Sequence, residues 1–275
     1  MLPDFIVTGA MKCGTTSLHY YLDLHPEIFM SKQKELDFFI AERNWDRGIG
    51  WYESNFSSDS KVNGESSTSY SKYPSIRRVP QRMHSVVPKV KLIYVVRDPI
   101  ERIISHYIHE YAQGREARLL DEALAIPKNN PYVDTSRYYL QLLQFLEFYN
   151  FDRILVITAE DLRDRRFSTL RKVFRFLNVD DQYHSEDFSR LLNRSAEKRR
   201  KNWMGHLTSK ISVRHYTLHV TLPANSRRLY RFFTGTRIDP PTMSGGTKRN
   251  LIASLRPDVD SLRHLTGMAF DRWCL

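Results

Sequence analysis

Cysteine is scarce: Cys13 and Cys274, near opposite ends, are the only two among 275 residues. A disulfide framework is excluded, and a reducing compartment, by default cytoplasmic, is the expectation. No run of about 18 apolar residues occurs, and Leu2-Pro3-Asp4 leads into a short apolar stretch without a basic n-region or long h-region, so no membrane span or leader is predicted. The ten histidines show no metal-ligand spacing backed by cysteines or carboxylates. Internal repeats and low-complexity tracts are missing too. Acidic residues are in deficit, 31 against 42 Lys and Arg, which gives a formal charge of +11. Such a field favours anionic partners, leaving nucleic acid, acidic membranes and multiply phosphorylated nucleotides open. With 41% hydrophobic residues the chain can bury a full core, and one domain over 1–275 is the simplest arrangement.

What is present is an alternation of strand and helix signals. Phe5 to Gly9 is a short β-rich run ending in glycine, and Leu18, Tyr21 and Leu22 follow at helical spacing, predicting strand, tight loop and helix. Leu92-Ile93-Tyr94-Val95-Val96, within Lys91 to Asp98, is a continuous apolar run of the kind buried on both faces of a parallel sheet. Asp98-Pro99 then supplies an N-cap and a proline at the first helical position, and Ile100, Ile103, Ile104, Tyr107, Ile108 and Tyr111 carry a helix onward. Tyr138 to Tyr149 reads as a helix, Ile154 to Thr158 as a buried strand and Arg166 to Leu177 as an amphipathic helix. This order predicts an α/β domain with a central parallel sheet, helices on both faces and a P-loop-like phosphate-binding loop. Segments around 44–73 and 194–235, polar with scattered aromatics, are expected to be insertions that shape an acceptor cleft, where Trp45, Trp51, Tyr52, Tyr70 and Tyr73 are candidate lining. Ile211 to Leu222 fits a strand or an amphipathic helix equally.

The loop from Lys12 to Ser17 is the first candidate site. A glycine turn that opens a helix presents unpaired backbone N–H groups and the positive end of the helix dipole to an anion. Gly9 and Gly14 keep the spacing of G-x-x-x-x-G-K-[ST], but Thr15 stands where that pattern has lysine, and Lys12 lies inside the loop instead. From there an ammonium can reach the bridging oxygen between a 5′-phosphate and a transferring group without a metal, while Thr15, Thr16 and Ser17 add hydroxyls. A glycine turn with a solvated lysine has the same pattern, so the loop alone defines only an anion cradle. Cys13 sits in this electropositive setting, where its thiol is expected to be somewhat acidified, with no catalytic role. Arg97 at the end of the second strand and Ser105 two turns along the next helix can meet one further phosphate. His106 and His109 share a face with Ser105, though His106 is read as structural. Glu35, in Lys34-Glu35-Leu36-Asp37-Phe38-Phe39, places a carboxylate beside a lysine and a phenylalanine pair whose shielding would suit a general base.

These motifs, Gly9-Ala10-Met11-Lys12-Cys13-Gly14-Thr15-Thr16-Ser17-Leu18, Lys34-Glu35 with Phe38-Phe39, and Arg97-Asp98-Pro99 through Ser105-His106, resemble the sulfotransferases of the heparan sulfate group and their bacterial relatives. Gly64-Glu65-Ser66-Ser67-Thr68 and the closing Arg256-Pro257-Asp258 to Trp273 extend the resemblance. It implies a co-substrate, 3′-phosphoadenosine 5′-phosphosulfate (PAPS), leaving as adenosine 3′,5′-bisphosphate (PAP), with no metal required. Lys12 and the loop Cys13, Gly14, Thr15, Thr16 and Ser17 would bind the 5′-phosphosulfate, Arg97 and Ser105 the 3′-phosphate, and Glu35 would take the acceptor's proton. Tyr138 matches a position near the nucleotide, and Arg199 or Arg200 would touch it from the basic run Arg194 to Lys201, where the glycine of the animal enzymes is missing. The acceptor would be a hydroxyl or amine of a small molecule or carbohydrate, neither nucleic acid nor membrane being a partner. A metal-dependent nucleotide kinase and, less so, a nucleic-acid-binding module are the alternatives, Thr15 opposing the first.

Overall fold

The structure, a computed structural model, describes residues 1–190, 199–201, 235–237 and 241–275. Five strands make one sheet, β1 (Phe5–Gly9), β2 (Ile28–Met30), β3 (Val62–Ser66), β4 (Lys91–Val96) and β5 (Ile154–Thr158), in the order β2-β3-β1-β4-β5. Every pairing is parallel. The helices are α1 (Thr15–Asp23), α2 (Gly48–Glu53), α3 (Val79–Val86), α4 (Pro99–Ala112), α5 (Leu120–Ala123), α6 (Pro131–Asp134), α7 (Tyr138–Leu146), α8 (Ala159–Asp164), α9 (Arg166–Leu177) and α10 (Gly245–Thr266). A second, two-stranded antiparallel sheet joins β6 (Arg199–Lys201) to β7 (Gly235–Arg237).

Consecutive residues of β1, β3 and β4 are buried without alternation, so both faces of the sheet are covered, as parallel strands joined by helical crossovers require. The chain starts at the centre with β1, passes to β2 and β3 on one side, and crosses to β4 and β5 on the other. Loops leaving the carboxyl ends of β1 and its neighbours therefore diverge, which opens a crevice at that edge. Residues 62–66, assigned to an insertion at 44–73, form the strand beside β1. Val-Asn-Gly-Glu-Ser carries no apolar run, and its burial is tolerated because its polar groups find partners: Asn63 bonds Ser57 in both directions, and the Glu65 carboxylate accepts from Tyr52, Tyr70 and Ser67. Tyr52 and Tyr70 are thus core residues rather than cleft lining. Residues 44–61 hold a short 3-10 turn and α2, from which Tyr52 enters the core. Ile211 to Leu222 lies outside the described residues.

Candidate active site

Lys12, Glu35, Thr68 and Arg97 follow β1, β2, β3 and β4 respectively, so the parallel order sets all four loops at one edge of the sheet. After β1, Ala10 N–H donates to the Val95 carbonyl at 2.7 Å and Cys13 N–H back to Ala10 at 3.2 Å, closing a tight turn. Lys12 (φ 74°) and Gly14 (φ 89°) both lie in the left-handed region, which costs glycine little and turns successive N–H groups toward one concavity. Gly14 caps α1 without a side-chain hydrogen bond, and no acidic residue stands in the first turn. Thr15 and Thr16, the first helical residues, have no carbonyl a turn behind them in the helix. An anion is the fitting guest, with half-buried Lys12 on the loop.

Cys13 departs from expectation. Its side chain is turned into the core, 3.7 Å from the Tyr138 hydroxyl, and burial pushes its thiol up to about 11 despite Arg102 nearby. Desolvation of a thiolate outweighs the surrounding positive charge. Tyr138 is also fully buried, its hydroxyl donating to the Arg97 carbonyl at 2.8 Å, so it braces the strand end from beneath.

Glu35 occupies a loop bent by left-handed conformations at Glu35 (φ 63°) and Asp37 (φ 49°). Its N–H donates to the Ser66 carbonyl at 2.8 Å, and its carboxylate accepts from the Thr68 N–H at 2.7 Å and hydroxyl at 3.1 Å and pairs with Lys34. The aromatic pair does not shield it as expected. Phe38 instead stacks on Tyr52 at 4.3 Å and Phe39 packs edge-on to Tyr70, both inside the core. His19 of α1 meets Ser66 at 3.0 Å, and burial, then the Lys34 charge, lowers its pKa to about 4. The phosphate helix and the Glu35 loop thus share the end of β3.

Beyond β4, Asp98 caps α4 through the Ile100 and Glu101 N–H groups. The Arg97 guanidinium turns to Glu101, with Nη2 2.6 Å from Oε2, while Ser105 is buried two turns on. The sequence missed Arg102, which is fully buried and donates to Ser136 and the Tyr132 carbonyl. His106 packs on Tyr132 at 4.8 Å, and burial, with Arg102, Lys72, His109 and Lys12 around it, drives its pKa down to about 2. It is a structural, neutral histidine whose charged neighbours nonetheless link α4 to the Lys12 loop. Lys72 had no sequence signal either: it follows a polar turn, and only the fold brings it near Glu35 and Asp37. The strand β6, carrying Arg199 and Arg200, runs beside α4, the helix of Ser105.

The sulfotransferase domain model matches residues 2–219, and the chain belongs to that family. It is 30% identical over 191 residues to human heparan sulfate glucosamine 3-O-sulfotransferase 5, covering 65% of this chain and 54% of that protein. A Caenorhabditis elegans bifunctional heparan sulfate N-deacetylase/N-sulfotransferase 1 is 27% identical over 195 residues, 66% of this chain and 22% of the relative. The chain therefore spans between about a fifth and just over half of these relatives. Among solved structures, a sulfotransferase from Alicyclobacillus acidocaldarius shares the fold with a TM-score of 0.71 at 22% identity over 99% of both chains. A mouse sulfotransferase complexed with PAP gives 0.52 at 16% identity, over 96% of this chain and 88% of that one. No helix among the described residues is long and apolar enough to cross a membrane.

Proposed function

We propose that the chain transfers a sulfuryl group from PAPS to a hydroxyl or amine of a carbohydrate or small-molecule acceptor. The observation that carries this reading is the meeting of an anion-binding loop bearing Lys12 and a carboxylate, Glu35, at one sheet edge, both tied to the end of β3. Glu35 takes the proton of the acceptor O–H or N–H as its lone pair attacks sulfur, and the bond between sulfur and the 5′-phosphate oxygen breaks with its electron pair left on that oxygen. Lys12 and the N–H groups of Gly14 to Thr16 meet the charge that develops there, with the Ser17 N–H bonded to the Gly14 carbonyl at 3.0 Å. Arg97 and Ser105 hold the 3′-phosphate, and Arg199 or Arg200 touches the nucleotide. The chemistry needs no metal, because the loop's own cation serves the leaving group. A cytoplasmic setting goes with this reading, Cys13 and Cys274 being free thiols. Heparan sulfate relatives support a carbohydrate acceptor in particular.

Isothermal titration with PAP, set against ATP plus Mg²⁺, tests the donor: binding of PAP and weak response to ATP is expected, and the reverse would indicate a kinase. An acceptor screen by mass spectrometry then supplies a substrate. With it, Glu35→Gln and Lys12→Ala are expected to lower turnover at least ~100-fold with PAP affinity changed far less, the range usual for a lost acid-base or charge-stabilising group. Arg97→Ala should weaken PAP binding roughly tenfold. Near-normal turnover in Glu35→Gln would remove it as the base.

A further inference from the structure

Glu65 lies wholly inside the protein on β3, and its carboxylate accepts hydrogen bonds from three hydroxyls: Tyr52 at 2.6 Å, Ser67 at 2.7 Å and Tyr70 at 3.0 Å. Burying an acidic group beneath an α/β crevice costs stability unless it is fully bonded, and a hydrocarbon side chain would fill the same space more cheaply. The network continues outward. The Ser67 hydroxyl, oriented by donating to Glu65, accepts the Asp37 N–H at 3.0 Å. Ser66 takes the Glu35 N–H at its carbonyl, and Thr68 donates its N–H and hydroxyl to the Glu35 carboxylate. These ties to the Glu35 and Asp37 backbone and to the Glu35 carboxylate come from the three residues that follow Glu65, while Asn44 holds the Leu36 carbonyl at 2.7 Å and Arg43 pairs with the Asp37 carboxylate. Those ties hold two residues, Glu35 and Asp37, in left-handed conformations that a free loop of non-glycine residues would leave. Tyr70 also reaches the loop through a long contact with the Phe39 N–H at 3.4 Å. The same stretch binds β1 through Ser67 N–H to the Val7 carbonyl and α1 through Ser66 to His19, so it sets the Glu35 loop against the phosphate helix.

We infer that Glu65 is a positioning residue: through Ser67 it fixes the left-handed Glu35 loop, and so the place of the base relative to the phosphate-binding loop. This rests on the role given to Glu35 above. The hydroxyl donors oppose the effect of burial, which on balance raises the Glu65 pKa to about 7. A buried carboxyl group that accepts three directed hydrogen bonds is suited to orienting the donors around it.

The test is amide hydrogen exchange on the whole chain in Glu65→Leu, Glu65→Gln and Tyr52→Phe, with PAP titration alongside. Glu65→Leu is expected to speed exchange at Glu35 and Asp37 at least tenfold more than in β4 and β5, with PAP affinity within twofold. Glu65→Gln, which keeps an acceptor for the tyrosines, should restore most of the protection. Tyr52→Phe, which removes one donor and leaves the fold least disturbed, should give a smaller rise at the same two amides and serves if Glu65→Leu does not fold. A uniform rise across the sheet, or no rise at Glu35 and Asp37, would overturn the positioning role. Failure of the wild-type chain to bind PAP would instead overturn the sulfuryl-transfer reading, and is told apart because the exchange pattern is read without ligand.

Discussion

A methyl group added at Gly9 would lie 2.0 Å from the Ser71 hydroxyl and 3.0 Å from a Tyr94 ring carbon. Ser71 cannot simply swing away, since it donates to the Thr8 carbonyl at 3.0 Å and is buried. Gly9→Ala is therefore expected to cost ~1–3 kcal/mol, the usual range for overpacking, and to weaken PAP binding because the displaced backbone leads directly into the Lys12 turn. Urea melts and titration check both, and adding Ser71→Gly should recover part of the stability. At this scale the sequence told where charge and glycine would stand, because a phosphate loop is a local device of a few residues. It did not tell which way side chains point. Cys13 faces the core, Phe38 and Phe39 turn from Glu35, and Arg102 and Lys72 enter the site region from stretches that look like ordinary helix and turn. Those directions depend on packing between segments far apart in the chain.

Asp98 shows how one side chain can join several elements. One oxygen caps α4, the other accepts the Cys274 N–H at 2.6 Å, and its own N–H donates to Glu160 of α8 at 2.9 Å. Asp98→Ala should cost ~2 kcal/mol, a helix cap together with a buried hydrogen bond, and should release the C-terminal residues. A lower melting temperature and faster modification of Cys274 by a thiol reagent are the expected readouts, with Asp98→Asn keeping much of the cap. The α4 start was legible because capping and proline are written within a few residues. β4 and β5 were legible because their apolar runs carry their own signal, whereas β3 was hidden: polar residues there are buried by partners supplied from α2 and the turn after β3. Asp258, within the α10 stretch noted for its Arg-Pro-Asp motif, caps the start of α7 through the Tyr139 and Leu140 N–H groups, a cross-element contact no local pattern reveals.

For the whole molecule, stability should depend on pH through groups that the fold shifts in opposite senses. Burial raises Glu65 from 4.5 to about 7 and Asp258 from 3.8 to about 6, so the folded state holds their protons longer than the unfolded chain does. Their contribution is complete below the unfolded values and is lost as pH rises through the folded ones. His19 and His106, lowered from 6.5 to about 4 and about 2, act the other way, their contribution being present above 6.5 and lost as pH falls. Glu65→Gln removes the Glu65 part of the first loss and leaves the other groups titrating. Its stability relative to the wild type should rise by roughly 3 kcal/mol between pH 4.5 and 7, the scale of such a shift, as followed by urea unfolding. A flat difference across that window would show that Glu65 titrates normally.

The pairing of β6 with β7 has a consequence of another kind. Because Arg199–Lys201 runs antiparallel to Gly235–Arg237, two distant stretches of the sequence become backbone neighbours beside α4. A slip of register in residues 235–237 would therefore shift the backbone of Arg199 and Arg200 relative to α4, although more than 30 residues of sequence separate the two strands.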